Sequence, residues 1–361
     1  MEITAGVTTA PGSGFALRTL ELDGPGRGEV LVGVRAAGVC HTDLLCADGV
    51  HPAPLPGVFG HEGAGVVEEV GDGVEGYAPG DRVLMSFDSC GACARCGRGF
   101  PFYCEEFQTL NFGGGRRDGG TALSLDGRRV HSHFFGQSSL ATHAVARART
   151  LVRIPDDIPF EVAAPLGCGV QTGAGAILNV LRTRAGGTVA VAGAGGVGLG
   201  AVMAARLCGA GLVVAIDPIA SRRALSLELG ADVALDPHGT DVARRLAELG
   251  GVDSAVDTSG RPAVITACFE ALRPKGGLAL IGGPAEPTFE FEAYKFFDGR
   301  YVCGLSMGES VPREFVPVLV DHWRGGRFPV DRLVTAFPLA DLGRAVEAMR
   351  SHEVIKPVLI P

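Results

Sequence analysis

The chain has 361 residues, enough for about two domains at roughly 150 residues each, and 46% of them are hydrophobic, enough to fill sizeable cores. Its 40 acidic against 32 basic residues leave a net charge of −8, which argues against nucleic acid or an anionic membrane surface as a partner. No basic start leads into an apolar run, and no stretch of about 18 uninterrupted apolar residues occurs, so no secretory leader or membrane span is expected and the protein reads as soluble and cytoplasmic.

From Leu17 to about Leu151, short β-like runs such as EVLVGVRAAGV, GAGVVEEVG and DRVLMSF alternate with Gly, Pro and Asp punctuation. They predict a β-rich, barrel-like domain without long helices. Within it lie Cys40-His41-Thr42-Asp43 and Gly60-His61-Glu62, followed by SCGACARCGRGFPFYC, which sets Cys90, Cys93, Cys96 and Cys104 at spacings of two, two and seven intervening residues. Four thiolates so spaced predict a tetrahedral zinc that is fully coordinated, and so folds a loop rather than doing chemistry; a disulfide pair is the competing arrangement. The Gly-rich stretch from Phe112 to Gly120 predicts an exposed loop.

Near Pro165 the texture changes. The runs GCGVQTGAGAILNVL, TVAVAGAGGVGLGAVMAARLCGA, LVVAIDP, VDSAVDTSG and GGLALIGGP predict parallel strands joined by crossover helices. Gly193, Gly195, Gly196, Val197 and Gly198 close one strand-like run and open an Ala/Leu-rich helix. In this pattern the first glycine makes the tight turn, the second lets a pyrophosphate approach, and the third packs helix on strand. Asp217 ends the next strand nineteen residues after Gly198, where a carboxylate holds ribose hydroxyls and repels a 2′-phosphate, favouring NAD over NADP. Arg222 and Arg223 pull the other way, since an arginine here accepts that phosphate; both also suit a solvated helix face. After about Val302 the elements are mixed again, and IKPVLIP predicts a terminal strand that pairs back onto the first domain. The expected fold is α/β: residues 167–301 form a Rossmann doubly wound parallel sheet, and residues 1–166 with 302–361 form a discontinuous β-rich domain.

Taken in order, GVCHTD, GHEGAGVVEEVG, the four-cysteine segment, LGCGVQTGAGA and GAGGVG resemble the zinc-dependent alcohol dehydrogenases of the medium-chain dehydrogenase/reductase family, across essentially the whole chain. The resemblance implies a GroES-like catalytic domain, two zinc ions per subunit, NAD, an alcohol or aldehyde substrate, and a homodimer or homotetramer paired through the strand RYVCGL. It also implies that Cys40, His61 and Cys168 hold a catalytic zinc whose fourth position is left to water or an alcohol oxygen, with Glu62 as an occasional alternative ligand. Thr42 would pass the alcohol proton toward the cofactor ribose, Asp43 would fix the tautomer of His61, and His41 and Lys356 would meet cofactor phosphates. One departure stands out: Leu45 occupies the place where many relatives carry a histidine ending the proton relay, and His51 follows six residues later in a Pro-rich turn. Cys46, Cys208, Cys268 and Cys303 are expected as buried structural thiols.

The segments LGCGVQTGAGAILNV, HSHFFGQSSLATHAV and SVPREFVPVLVDHWRGGRFP are similar to the aryl or benzyl alcohol dehydrogenase branch. That similarity implies a primary benzylic or allylic alcohol as substrate, with Ser86, Phe87 and Met307 as candidate pocket residues. Two other readings stay open. A thiol-adduct formaldehyde dehydrogenase on the same scaffold calls for a polar or basic patch that the sequence does not reveal, and a catalytically silent dinucleotide-binding scaffold protein is opposed by the complete zinc triad with Thr42.

Overall fold

Alternating apolar residues and β-branched runs give the N-terminal part its sheets. The computed structural model describes residues 1–283, 286 and 288–361. They divide into one unit made of Met1–Cys168, Val311–Asp321 and Val330–Pro361, and a second made of Gly169–Ser310 with His322–Pro329.

In the first unit, Glu29–Gly38 is buried at every position except Arg35, as expected of a strand covered on both faces. It pairs antiparallel with Glu62–Val70, which continues through Arg82–Met85 to Leu151–Arg153. It also pairs with His143–Arg147 and with the C-terminal strand Lys356–Ile360, beyond which Val334–Pro338 runs parallel. Val358 faces Gly38 and Leu359 faces Ala37, so the terminal run does return to this sheet. A five-stranded antiparallel sheet, ordered Gly57–Val58, Glu2–Thr8, Ala16–Leu22, Leu123–Leu125 and Arg128–Val130, packs on it. Ile3, Val7, Leu20 and Val58 from this sheet share a core with Leu31 and Val145 from the other. The helices among them are short, such as His41–Ala47 and Phe107–Phe112.

The second unit is a six-stranded parallel sheet ordered Val233–Leu235, Leu212–Ile216, Thr188–Ala192, Val252–Asp257, Leu272–Leu280 and Tyr301–Gly304. Strand order reverses between Thr188–Ala192 and Val252–Asp257, and in open α/β sheets ligands bind outside the carboxyl ends of the strands at such a switch point. Crossover helices Gly196–Leu207, Ala220–Glu228, Val242–Glu248 and Pro262–Glu270 link the strands.

Four expectations need correction. The run Gly167–Leu181 forms the helix Gly169–Gly175 and a π turn, Ala176–Val180, rather than a strand. Its glycines permit close helix packing, since a Cβ on Gly173 would stand 1.8 Å from the carbonyl oxygen of Val197. Residues 302–310 belong with the second unit, because Tyr301–Gly304 hydrogen-bonds along Gly277–Leu280 as the last strand of the parallel sheet, and residues 322–329 fall in that unit too. The loop 112–120 is not simply exposed: Arg116 turns inward to an ion pair with Glu29 at 2.9 Å. Cys46 and Cys268 are buried, but Cys208 and Cys303 are only half-buried, one capping a helix and the other on the sheet's edge strand. No helix among the described residues is long and apolar enough to cross a membrane.

Candidate active site and metal centres

Cys40 ends the turn after the central strand and precedes the helix His41–Ala47, while His61 precedes the strand Glu62–Val70. Cys168 follows the turn Ala164–Gly167. These three segments, far apart in sequence, bring one ligand atom each from Cys40, His61, Glu62 and Cys168 within 4.8 Å of one another, all buried. Asp43 organises the group. Its Oδ2 accepts from the Cys40 N–H at 2.8 Å, and its Oδ1 accepts from the Gly60 N–H at 3.0 Å and meets His61 Nδ1 at 2.8 Å. With Nδ1 committed to the carboxylate, Nε2 of His61 is turned inward, buried and without a hydrogen-bond partner. An orphaned ring nitrogen between two thiols, oriented by a carboxylate, is a donor set suited to zinc.

The electrostatics match a cation site. A hydrogen bond between the two thiols holds Cys40 well below the usual thiol range and Cys168 well above it. Burial alone would discharge His61, but the Asp43 carboxylate and Cys40 outweigh it and raise the ring's pKa well above its ordinary value. Burial lifts Glu62 to about 7 against the pull of Lys356. Lys356 is 4% exposed, and its Nζ donates to the Val39 carbonyl at 3.2 Å and pairs with Glu62 at 3.0 Å. The expected phosphate contact is therefore corrected: this ammonium is spent inside the first unit, neutralising Glu62. Thr42 keeps its hydroxyl 4.0 Å from the Cys40 sulfur, and His41 is exposed at the start of its helix. The His51 backbone N–H donates to the Leu45 carbonyl at 3.1 Å, and the His51 ring stacks on Phe112 at 4.3 Å.

Cys90, Cys93, Cys96 and Cys104 converge likewise, with all four sulfurs within 4.8 Å and Cys90 and Cys96 at 3.9 Å. Sulfurs about 3.8 Å apart are what a tetrahedron of ~2.3 Å zinc–sulfur bonds requires. Backbone N–H groups already point at the sulfurs, Cys93 N–H to Cys90 at 3.1 Å and Cys90 N–H to Cys104 at 3.1 Å. The Cys96 N–H draws the Cys93 thiol down to about 6. All ten cysteines are free thiols, which removes the disulfide alternative.

In the second unit the glycine loop has the geometry its sequence implies. Gly193 adopts φ +88°, and a Cβ on Gly198 would meet the Gly193 oxygen at 1.8 Å. Beside Gly195 there is open space, the approach a pyrophosphate needs, and Gly196 and Val197 begin the helix. The Asp217 carboxylate accepts from the Ala194 N–H at 2.7 Å and the Ile219 N–H at 2.8 Å, which locks it beside the loop. Arg223 is committed to the Asp217 carbonyl at 2.8 Å and to Asp236 at 3.0 Å, while Arg222 is half-buried. Among the pocket candidates, Ser86, Phe87 and Met307 are all buried, and Ser86 Oγ donates to the Gly167 carbonyl at 2.6 Å. Sequence reasoning missed Gln137 and the aromatic cluster of Phe59, Phe107, Phe112, Phe134 and Phe135 around His61. The phenylalanine pair in HSHFFGQSS was the available signal for the cluster.

A glycine loop with its ribose-side carboxylate and a sulfur–imidazole cation site, carried by one chain, define the class of metal-dependent dehydrogenases that use a nicotinamide dinucleotide. Residues 26–156 match the alcohol dehydrogenase GroES-like domain family, and residues 196–322 match the zinc-binding dehydrogenase family. The geraniol dehydrogenase of Castellaniella defragrans is 44% identical over 99% of this chain and 97% of its own length. The alcohol dehydrogenase zinc-binding domain protein from Burkholderia ambifaria superposes with a TM-score of 0.98 at 44% identity, covering 100% of this chain and 99% of that one. The benzyl alcohol dehydrogenase from Acinetobacter calcoaceticus gives a TM-score of 0.96 at 38% identity over the same shares, 100% and 99%. The chain belongs to the zinc-dependent alcohol dehydrogenases of the medium-chain dehydrogenase/reductase family, and its cofactors are zinc and NAD.

Proposed function

We propose that this protein interconverts primary benzylic or allylic alcohols and their aldehydes, with NAD as hydride acceptor and Cys40, His61 and Cys168 holding the catalytic zinc. The observation that carries the assignment is the buried, unpartnered Nε2 of His61 facing two thiols. Zinc bound there supplies Lewis acidity that makes an alcohol hydroxyl easier to ionise. Asp43 holds the imidazole in the tautomer that leaves Nε2 free to ligate, and Glu62, neutralised by Lys356, limits the negative charge around two thiolates. Thr42, whose hydroxyl lies 4.0 Å from the Cys40 sulfur, would hydrogen-bond the alcohol hydroxyl and relay its proton onward to solvent, and NAD, held at the glycine loop, would supply the hydride acceptor. The Cys90–Cys104 loop holds the second zinc, structural and closed to substrate.

The substrate class follows from the aromatic surroundings of His61. Phe135 stacks on its ring at 4.5 Å, and Phe134 meets it edge-on at 5.5 Å. An apolar, π-rich neighbourhood favours an unsaturated carbon skeleton next to the carbinol. The names of the relatives point the same way, one acting on geraniol and one on benzyl alcohol. Asp217, with Arg223 already paired, favours NAD over NADP. The edge strand Tyr301–Gly304 offers a pairing surface for a homodimer or homotetramer, and the cytoplasm is the proposed compartment.

The test is a panel of benzylic, terpenoid allylic and short saturated alcohols followed by NADH absorbance. Benzylic and allylic alcohols should exceed ethanol in kcat/KM by at least about tenfold, ~1.4 kcal/mol of transition-state binding. Equal values would defeat the substrate assignment, and absence of turnover with any alcohol in zinc-replete protein would defeat the activity.

A further inference from the structure

The segment Ser132–Ser139 is built against backbone preference. His133 (φ 59°), Phe135 (φ 51°) and Ser138 (φ 61°) all lie in the left-handed region, with Gly136 (φ 70°) among them. Such residues persist only where the surroundings over-determine them, and they cluster at functional sites. Here one end is fixed by His133, whose ring meets Glu29 at 3.0 Å and the Ser132 hydroxyl at 2.7 Å. The other end is fixed by Ser138 Oγ, which donates to the Val58 carbonyl at 2.6 Å and accepts from the Phe134 N–H at 3.0 Å.

What this contorted strap delivers is the side chain of Gln137, 1% exposed. Its Oε1 accepts from the Gly63 N–H at 3.0 Å, while its Nε2 donates to the His61 carbonyl at 3.0 Å and the Ser86 carbonyl at 3.1 Å. The His61 C=O and Gly63 N–H flank Glu62 on one edge of the strand, so the amide does there what a neighbouring strand would do. Ser86 in turn holds the Gly167 carbonyl, one residue before Cys168. We infer that Gln137 is a positioning residue of the metal site: one amide couples the segment carrying His61 and Glu62 to the segment carrying Cys168, as Asp43 couples Cys40 to His61. The chemistry requires all three partners to be an amide's complement, one N–H and two carbonyls, which glutamate or leucine cannot satisfy.

The inference rests on the reading that Cys40, His61 and Cys168 hold zinc. Its test measures zinc content and the rate of zinc release to a chromogenic chelator, with Cys168→Ser marking which ion belongs to that site. The Gln137→Leu and Gln137→Glu proteins should lose that ion at least about tenfold faster than the parent, while the ion of the four-cysteine loop leaves at the parental rate. The cobalt-substituted variants should also show a shifted ligand-field spectrum. Release of both ions at parental rates, or equal acceleration of both, overturns the inference. Should both Gln137 variants fail to fold, Ser86→Ala, which removes the hydroxyl that holds the Gly167 carbonyl and leaves the Ser86 carbonyl bonded to Gln137, decides: selective acceleration of the same ion supports the coupling and an unchanged rate refutes it. A Cys168→Ser protein that retains two tightly bound zinc ions refutes the zinc reading itself, a different result from either.

Discussion

Thr42 is half-buried, its hydroxyl lies 4.0 Å from the Cys40 sulfur, and Leu45 stands where the resemblance leads one to expect a relay histidine. Thr42→Ser keeps the hydroxyl and should keep most of the activity. Thr42→Val keeps the shape and should cost on the order of 10² in kcat with zinc content unchanged; a valine protein turning over at the parental rate would show that the proton leaves elsewhere. Asp217 makes a different test, because its carboxylate accepts two backbone N–H bonds beside the glycine loop and is proposed to repel a 2′-phosphate. Asp217→Ala should raise KM for NAD and lift the NADP-to-NAD ratio of kcat/KM by about tenfold, equivalent to ~1.4 kcal/mol. An unchanged ratio would assign the preference to another residue. Both positions could be singled out from the sequence, because each sits a fixed step from a recognisable motif. Gln137 was not, since its partners lie 51 to 76 residues away, and Lys356 was singled out for a cofactor phosphate rather than for Glu62 and the Val39 carbonyl, partners 294 and 317 residues away that nothing local announces.

Elements show the same division. The four-cysteine loop and the glycine loop were readable because their chemistry repeats within a few residues. The helix Gly169–Gly175 read as a strand because three glycines weigh against helix by propensity, and only tertiary contacts explain two of them, Gly173 against Val197 of the helix Gly196–Leu207 and Gly175 against the Gly308 backbone. What fixes the cysteine loop to the sheet was equally hidden. Asn111, fully buried, accepts from the Asp88 N–H at 2.8 Å and donates to the carbonyls of Asp88 at 3.0 Å and Phe107 at 2.7 Å. Arg149 donates to the Ser89 carbonyl at 2.8 Å and also to that of Cys90. Asn111→Ala leaves the buried N–H and carbonyl of Asp88 without this partner and should destabilise the protein by about 2–4 kcal/mol. Thermal melting and limited proteolysis within residues 90–112 check it, and an unaltered melt with a resistant loop would mean that the arginine contacts suffice.

At the scale of the whole molecule, stability against acid depends on a buried carboxylate that joins remote parts of the chain. Glu29 opens the central strand and meets Arg116 at 2.9 Å, His133 at 3.0 Å and the Gly26 N–H at 2.8 Å, across separations of 87, 104 and 3 residues. Burial pushes its pKa up, but the hydrogen bonds from His133 and Arg116 prevail and hold it down at about 2, against 4.5 when unfolded. A carboxylate whose folded pKa is depressed contributes stability that is fully present above the unfolded value and drains away as pH falls toward the folded one. For Glu29 that window runs from about 4.5 down to about 2, and the contribution at neutral pH is on the order of 2–3 kcal/mol. Glu29→Gln keeps the shape and removes the charge. The stability difference between parent and variant, from denaturant unfolding at a series of pH values, should be largest above pH ~5 and shrink steadily toward pH ~2. Zinc release in acid affects both proteins alike, so the difference reports Glu29 together with its hydrogen-bonded partner His133. A difference that stays constant through this window would mean that the carboxylate's charge does not hold the strap and the 112–120 loop to the central strand.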